Sequence, residues 1–368
     1  MHNIGIFTSS RADFGILRNI AVKLENTKNY KLKIFVAGSH LSKYFGSTIN
    51  EIKKEKFSKI ILCNNLILSN NQVDVPKSIN KLNQIFSREI VKSKIESLIL
   101  LGDRYELLPV STISFSKRIK IIHLHGGETT LGAIDNQIRH CVSMLSNYHF
   151  VATKKSKKKL LNLGIEKKKI FILGAPGLEA INKNLKNIKY LEKKFNYKFG
   201  KNNAIVSLHP ETLSNKSILY LNIFLKCTKN FPNINFIFTS PGADTDGYAM
   251  KLKIINHVKK NKNCYFFDSL GHKEYLSFIK FSNFFIGNSS SGIIEVPSLK
   301  KISINLGDRQ LGREKADSVI NVPFNQKKIE NIINKLLNKK IKNLKFNNPY
   351  HLYQKPSLEF IKKIKKCL

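Results

Sequence analysis

Short apolar runs recur along the chain, separated by stretches of helical periodicity. An unbroken apolar run of about five residues is the mark of a strand buried on both faces. Its alternation with amphipathic stretches predicts βαβ units around a parallel sheet. In the first half the predicted strands are "NIGIFT" (residues 3–8), "KLKIFVAG", "SLILLG" (97–102), "IKIIHLHG" (119–126) and "YHFVAT" (148–153). Predicted helices between them include "ILRNIAVKLENT", "KSINKLNQIFSREIVKSKI", "ELLPVSTISFSKR" and "DNQIRHCVSMLS". After "IFILGAPGLEAI" the chain turns polar and rich in Lys and Asn up to about Asn203. A second series follows: "NAIVSLHP", "INFIFTSPG", "NCYFFDS", "NFFIGNSS" and "KISINLGD". The pattern predicts an α/β protein of two Rossmann-like halves facing across a cleft. The expected divisions are a first domain over residues 1–176, a linker over 177–202, a second domain over 203–355 and a C-terminal helix over 356–368.

Composition adds one feature. Among 368 residues, Lys and Arg outnumber Asp and Glu by 63 to 25, a formal net charge of +38. Such a surplus points first to an anionic partner. However, Lys far exceeds Arg, and Asn and Ile are also abundant, as A/T-rich codons produce. The basic runs "KKSKKK", "KKK" and "KKIKKC" lie among apolar residues, as on solvated helix faces. No interleaving of basic and aromatic residues suits base stacking, so no nucleic-acid partner is expected. Five scattered cysteines without a CxxC pair argue against a disulfide framework and structural zinc, and fit a reducing cytoplasm. The first residues read as a strand, so no signal peptide is expected, and no apolar run is long enough to predict a membrane span.

In parallel sheets, ligands gather at the carboxyl ends of the strands. Arg11 and Asp13 follow the first strand, and Asp103 and Arg104 follow "SLILLG". His125 and Glu128 follow "IIHL", and His209 follows "AIVSL". Ser289, Ser290 and Ser291 follow "FFIGN", with Asp308 and Arg309 after "ISINLG". The loop "GNSSSGIIEVPSL" offers hydroxyls and helix N-terminal N–H groups to a diphosphate, with Glu295 placed to accept ribose hydroxyls. An ordinary cap needs only one serine. Arg11 is a fork-shaped donor for phosphate or a plain loop arginine. Asp103 is a general base or an N-cap for the next helix. Asp135 is a helix cap with Arg139 as its i+4 partner, a reading that leaves His125 and Glu128 unexplained. His209 stands before a proline at a strand end. The spacing contains no HExxH, Walker A or GxGxxG pattern, so metal, ATP hydrolysis and dinucleotide chemistry are not expected.

Taken together, "SSRADFGIL", "LLGDRYE", "HLHGGETTLGAIDNQIRH", "LGAPGLE", "SLHPET", "IGNSSSGIIEVPSL" and "NLGDRQLGRE" resemble the hydrolysing UDP-N-acetylglucosamine 2-epimerase family of sialic- and legionaminic-acid biosynthesis. The motifs run in order from residue 9 to residue 314. The resemblance implies a glycosyltransferase-B type fold, no cofactor or metal, a UDP-sugar as substrate and a homodimer. It implies elimination of UDP to a 2-acetamidoglycal, then addition of water at C1 with reprotonation of C2 on the other face. The product is a free N-acetylmannosamine-type sugar, from UDP-N-acetylglucosamine or its 4-acetamido-6-deoxy analogue. Carried over by motif, Asp103, Glu128 and Asp135 become catalytic acids or bases, and His209 assists the diphosphate. Arg11, Arg104, Arg139, Ser289, Ser290, Glu295 and Arg313 become UDP-sugar ligands. Many relatives carry a catalytic glutamate where this chain has His125 in "HLHGG", so either His125 takes that role or Glu128 reaches in. A non-hydrolysing epimerase and a glycosyltransferase are the alternative enzymes, and a basic polyanion binder is the alternative outside enzymes.

Overall fold

The computed structural model describes residues 1–70, 72–181, 185–338 and 344–368. Residues 182–184 of the expected linker and 339–343 of the expected second domain lie outside the described residues. Among the described residues the first half carries nine strands: β1 (His2–Thr8), β2 (Tyr30–Ala37), β3 (Ile60–Cys63), β4 (Leu68–Ser69), β5 (Gln72–Val73), β6 (Ser97–Leu101), β7 (Lys120–Leu124), β8 (Tyr148–Val151) and β9 (Ile170–Ile172). All but β4 and β5 form a seven-stranded parallel sheet in the order β3-β2-β1-β6-β7-β8-β9. β4 and β5 make a short antiparallel ribbon. The second half carries β10 (Asn203–Ser207), β11 (Asn235–Thr239), β12 (Cys264–Phe267), β13 (Phe284–Gly287), β14 (Ile302–Leu306) and β15 (Val319–Val322). These form a six-stranded parallel sheet ordered β12-β11-β10-β13-β14-β15. This is the doubly wound α/β arrangement, present twice.

The central strands are wholly buried, β6 and β10 at every residue, because helices cover both faces. Helix Arg11–Glu25 starts where the Ser10 hydroxyl accepts the Asp13 N–H, and it lays Leu17, Ile20 and Leu24 on the first sheet. Helix Val75–Ser93 starts at the Asp74 cap with Pro76 in its first turn.

The Lys/Asn-rich stretch before β10 is not a bare tether. Helix Ile188–Phe195 buries Leu191, and Tyr197 follows it into a cluster with Ile205, Phe278 and Phe285 of the second half. A few apolar side chains at helical spacing among lysines suffice to make that buried stripe. The last helix, Pro356–Ile364, crosses back to the first half. Phe360 and Ile364 join its core, Phe360 lies 4.6 Å from the Phe150 ring, and the Ser357 N–H donates to Glu179.

Candidate active site

In each sheet the strand order reverses beside the first strand, between β1 and β6 and between β10 and β13. Both crevices open on one cavity of about 170 Å³. Its wall from the first half is Ser10, Arg11, Asp13, Asp103, Arg104 and Asp135; from the second come His209, Asp244, Asp268, Ser289, Ser290 and Arg309. Of the residues expected from sequence, Arg11, Asp103, Arg104, Asp135, His209, Ser289 and Ser290 therefore line one space. His125, Glu128, Arg139, Glu295 and Arg313 are not in its wall. His125, Glu128, Arg139 and Glu295 are buried, and the Arg313 side chain is nearly so.

Arg139 pairs with Asp103, and it also donates to the Glu128 carbonyl at 2.9 Å and to Thr130 Oγ1 at 3.2 Å. It is not the i+4 partner of Asp135, because it points inward beneath the glycine loop of residues 126–134 while Asp135 faces the cavity. Nor does Asp135 cap its helix: Ile134 holds the cap position and Asp135 lies in the first turn. Asp103 does not cap either, since helix Leu107–Ser116 starts after Glu106 with no side-chain cap. Ser290, at the head of helix Ser291–Ser298, makes no capping hydrogen bond. These polar groups are not spent on helix ends.

Behind Asp103, His125 Nδ1 lies 2.5 Å from Glu128 Oε1, and the other carboxylate oxygen pairs with Arg313. Burial alone would raise the Glu128 carboxyl, but Arg313 and His125 overcome it and hold the group below the ordinary carboxylate range. His125 has φ +60, a left-handed conformation uncommon for a residue with a side chain, and its buried Nε2 has no partner. Burial raises Asp13 and Asp135 and pushes Glu295 up to about 7.

His209 is held well below the ordinary imidazole range by burial and then by Arg309, Arg104 and Arg11. Its Nδ1 accepts the Gly242 N–H at 2.9 Å, so the neutral ring carries its proton on Nε2. Arg104 pairs with buried Glu106 and reaches across to the Ala243 carbonyl at 3.4 Å and to Asp244 at 3.7 Å. Arg11 likewise crosses to the Asp268 carbonyl at 3.0 Å. The cavity thus gathers acids, a neutral proton-bearing imidazole and three arginines. Groups of these types are chemically able to exchange protons and to bind an anion.

The family model for UDP-N-acetylglucosamine 2-epimerase matches residues 22–358. The chain belongs to the UDP-N-acetylglucosamine 2-epimerase family. It is 38% identical over 343 residues to a GDP/UDP-N,N'-diacetylbacillosamine 2-epimerase (hydrolyzing) of Campylobacter jejuni, covering 92% of this chain and 88% of the relative. It is 31% identical to a UDP-N,N'-diacetylbacillosamine 2-epimerase (hydrolyzing) of Legionella pneumophila, covering 93% and 90%. Among solved structures, the Methanocaldococcus jannaschii UDP-GlcNAc 2-epimerase in complex with UDP-GlcNAc and UDP superimposes with a TM-score of 0.81 at 20% identity, covering 99% of each chain. That likeness shows the two-domain parallel α/β fold. This member of the 2-epimerase family is an enzyme, and among its described residues no helix is long and apolar enough to cross a membrane. Asp13 and Arg309 carry the same strand-end signal as the other wall residues. Asp244 and Asp268 belong to none of the motifs read from sequence, and Asn288, although inside "IGNSSSGIIEVPSL", is not singled out there; the fold brings all three to the epimerase-family cavity or its edge.

Proposed function

We propose that the chain is a hydrolysing 2-epimerase that converts a UDP-2-acetamido sugar and water to UDP and the free manno-configured sugar. The observation that carries this reading is the convergence of both switch points on one cavity holding acids, arginines and a neutral histidine. In the first step a base takes the C2 proton, a C1–C2 double bond forms, and the C1–O bond breaks with its electron pair leaving on the diphosphate. Asp103, held by Arg139, is the proton-transfer group we assign on the cavity wall. Arg11, Arg104, Ser289 and Ser290 receive the diphosphate, and His209 donates to it from Nε2. In the second step water adds at C1 and a proton enters C2 from the other face, with Asp135, also on the cavity wall, as the acid we assign.

Between His125 and Glu128, the reading favours His125 as the proton carrier. Both Glu128 oxygens are committed, to His125 and to Arg313, whereas His125 Nε2 is buried and unpartnered. Arg313 acts through Glu128, and Glu295, which lies outside the cavity wall, is given no contact with the nucleotide in this reading. The relatives named for diacetylbacillosamine support the 2,4-diacetamido-6-deoxy sugar nucleotide over UDP-N-acetylglucosamine. Five free cysteines support a cytoplasmic setting. Exposed Val91, Phe115 and Met144 on three consecutive helices support a homodimer, which light scattering tests.

Proton NMR in D2O with each sugar nucleotide tests the reaction. Expected are free UDP and a free sugar carrying deuterium at C2, formed faster from the diacetamido substrate. An epimerised UDP-sugar with no free UDP, or a requirement for an acceptor, overturns the proposal.

A further inference from the structure

We infer that Asn288 is the positioning residue that locks three loops of the second half into one diphosphate-binding unit. The inference rests on the proposed reading of that cavity. Asn288 sits directly after β13, at the switch point, and is 1% exposed. All of its polar atoms are engaged. Oδ1 accepts the His209 N–H at 2.7 Å, and Nδ2 donates to the His209 carbonyl at 2.9 Å. Its own N–H donates to the Ser207 carbonyl at 3.1 Å. Its carbonyl accepts from Gln310 Nε2 at 2.9 Å and from Arg309 Nη1 at 3.3 Å.

Three of the loops that line the cavity from this side therefore meet on one side chain and its peptide. They follow β10, β13 and β14, and they carry His209, then Ser289 and Ser290, then Arg309. The amide reads both main-chain groups of His209, which fixes the residue in place without touching its ring. The ring accepts the Gly242 N–H on Nδ1, and its Nε2 lies 3.3 Å from Ser207 Oγ. Neighbouring Gly287 has φ +150, and a Cβ there would lie 2.0 Å from the Ser207 carbonyl, so β10 and β13 close tightly just where Asn288 begins its contacts. Asn supplies a donor and an acceptor on two separate atoms of one planar amide, and an ionised Asp has only acceptors.

The test compares wild type, Asn288→Ala and Asn288→Asp in the full chain. UDP binding is measured by calorimetry, and the 15N shifts of the His209 ring are recorded without ligand. Asn288→Ala leaves the His209 N–H and carbonyl unpaired, so UDP affinity falls by roughly tenfold to a hundredfold. Its His209 shifts lose the signature of a proton fixed on Nε2. Asn288→Asp keeps the shape and the acceptor but sets a carboxylate against the His209 carbonyl. It serves if the Ala variant does not fold, and the same change in ring shifts is expected. A folded variant that binds UDP within twofold of wild type with unchanged ring shifts overturns the inference. Failure of the wild type to bind UDP instead sinks the functional reading, while the ring shifts still decide the positioning role.

Discussion

Arg139 reaches inward, and that single direction shapes the chemistry of Asp103. A carboxylate fixed by a buried guanidinium at a cavity wall is preorganised for proton transfer. Asp103→Asn preserves the shape and removes the proton acceptor. Turnover is expected to fall by roughly 10²- to 10⁴-fold with UDP affinity nearly unchanged, read by the rate of UDP release and by calorimetry. Wild-type turnover in that variant would remove Asp103 from the mechanism. Glu295 makes a different statement, about stability. Burial raises its carboxyl from 4.5 to about 7, so the folded chain binds a proton that the unfolded chain gives up in that window. The stabilising effect of this proton is full below pH 4.5 and is lost as pH rises through 7. The span is worth roughly 3 kcal/mol. Glu295→Gln should flatten that part of the stability–pH curve, measured by urea unfolding at pH 5 and pH 7.5. An unchanged slope would show that Glu295 is not the group responsible.

Among the elements, the central strands were legible in sequence, and so was the edge strand β12 from "NCYFFDS". β1, β6, β7, β10 and β13 are buried on both faces and leave continuous apolar runs, and all but β7 are followed closely by polar residues that line the cavity. The edge strands β3, β9 and β15 are short and partly exposed: "IILC" and "IFI" are apolar runs too brief to mark a buried strand, and "VINV" is broken by Asn321. The helix at Ile188–Phe195 was hidden because its buried stripe is only a few residues among lysines. Site positions could be read wherever a motif follows a strand. Partnerships could not: the pairing of Arg139 with Asp103 and the meeting of three loops on Asn288 depend on which strands lie side by side. The close approach of β10 and β13 at Gly287 is such a tertiary fact. Gly287→Ala would set a Cβ against the Ser207 carbonyl at a φ that side chains rarely adopt. We expect a destabilisation of roughly 2 kcal/mol or more, by urea unfolding, together with weakened UDP binding. A fully stable variant would mean that the two strand ends separate without penalty.

At the scale of the whole molecule, the two halves are clasped on both sides of the cavity. On one side the β4–β5 ribbon reaches over, the Val73 N–H donates to the Thr245 carbonyl at 3.2 Å, and Phe45, Val73 and Ala243 form a small shared core. On the other, the glycine loop of the first half meets the second. The Leu131 N–H donates to the Leu311 carbonyl at 2.9 Å, and the Ile134 N–H to Thr212 Oγ1 at 3.0 Å. Gly132 lies at the centre of that seam, where a Cβ would stand 2.0 Å from the Asp308 carbonyl oxygen. Backbone on both sides leaves no flexible side chain to yield. Gly132→Ala must therefore hold the seam open by an ångström or more, which moves Asp103 and Asp135 away from His209 and Arg309 while leaving each sheet intact. A displacement of that size between reacting groups costs on the order of a hundredfold in rate. The expected result is a hundredfold fall in kcat/KM with a melting temperature close to wild type and a larger radius of gyration by X-ray scattering. If the rate falls but the scattering profile matches wild type in the presence of UDP, the seam closes despite the added methyl and the loss must originate within the glycine loop itself.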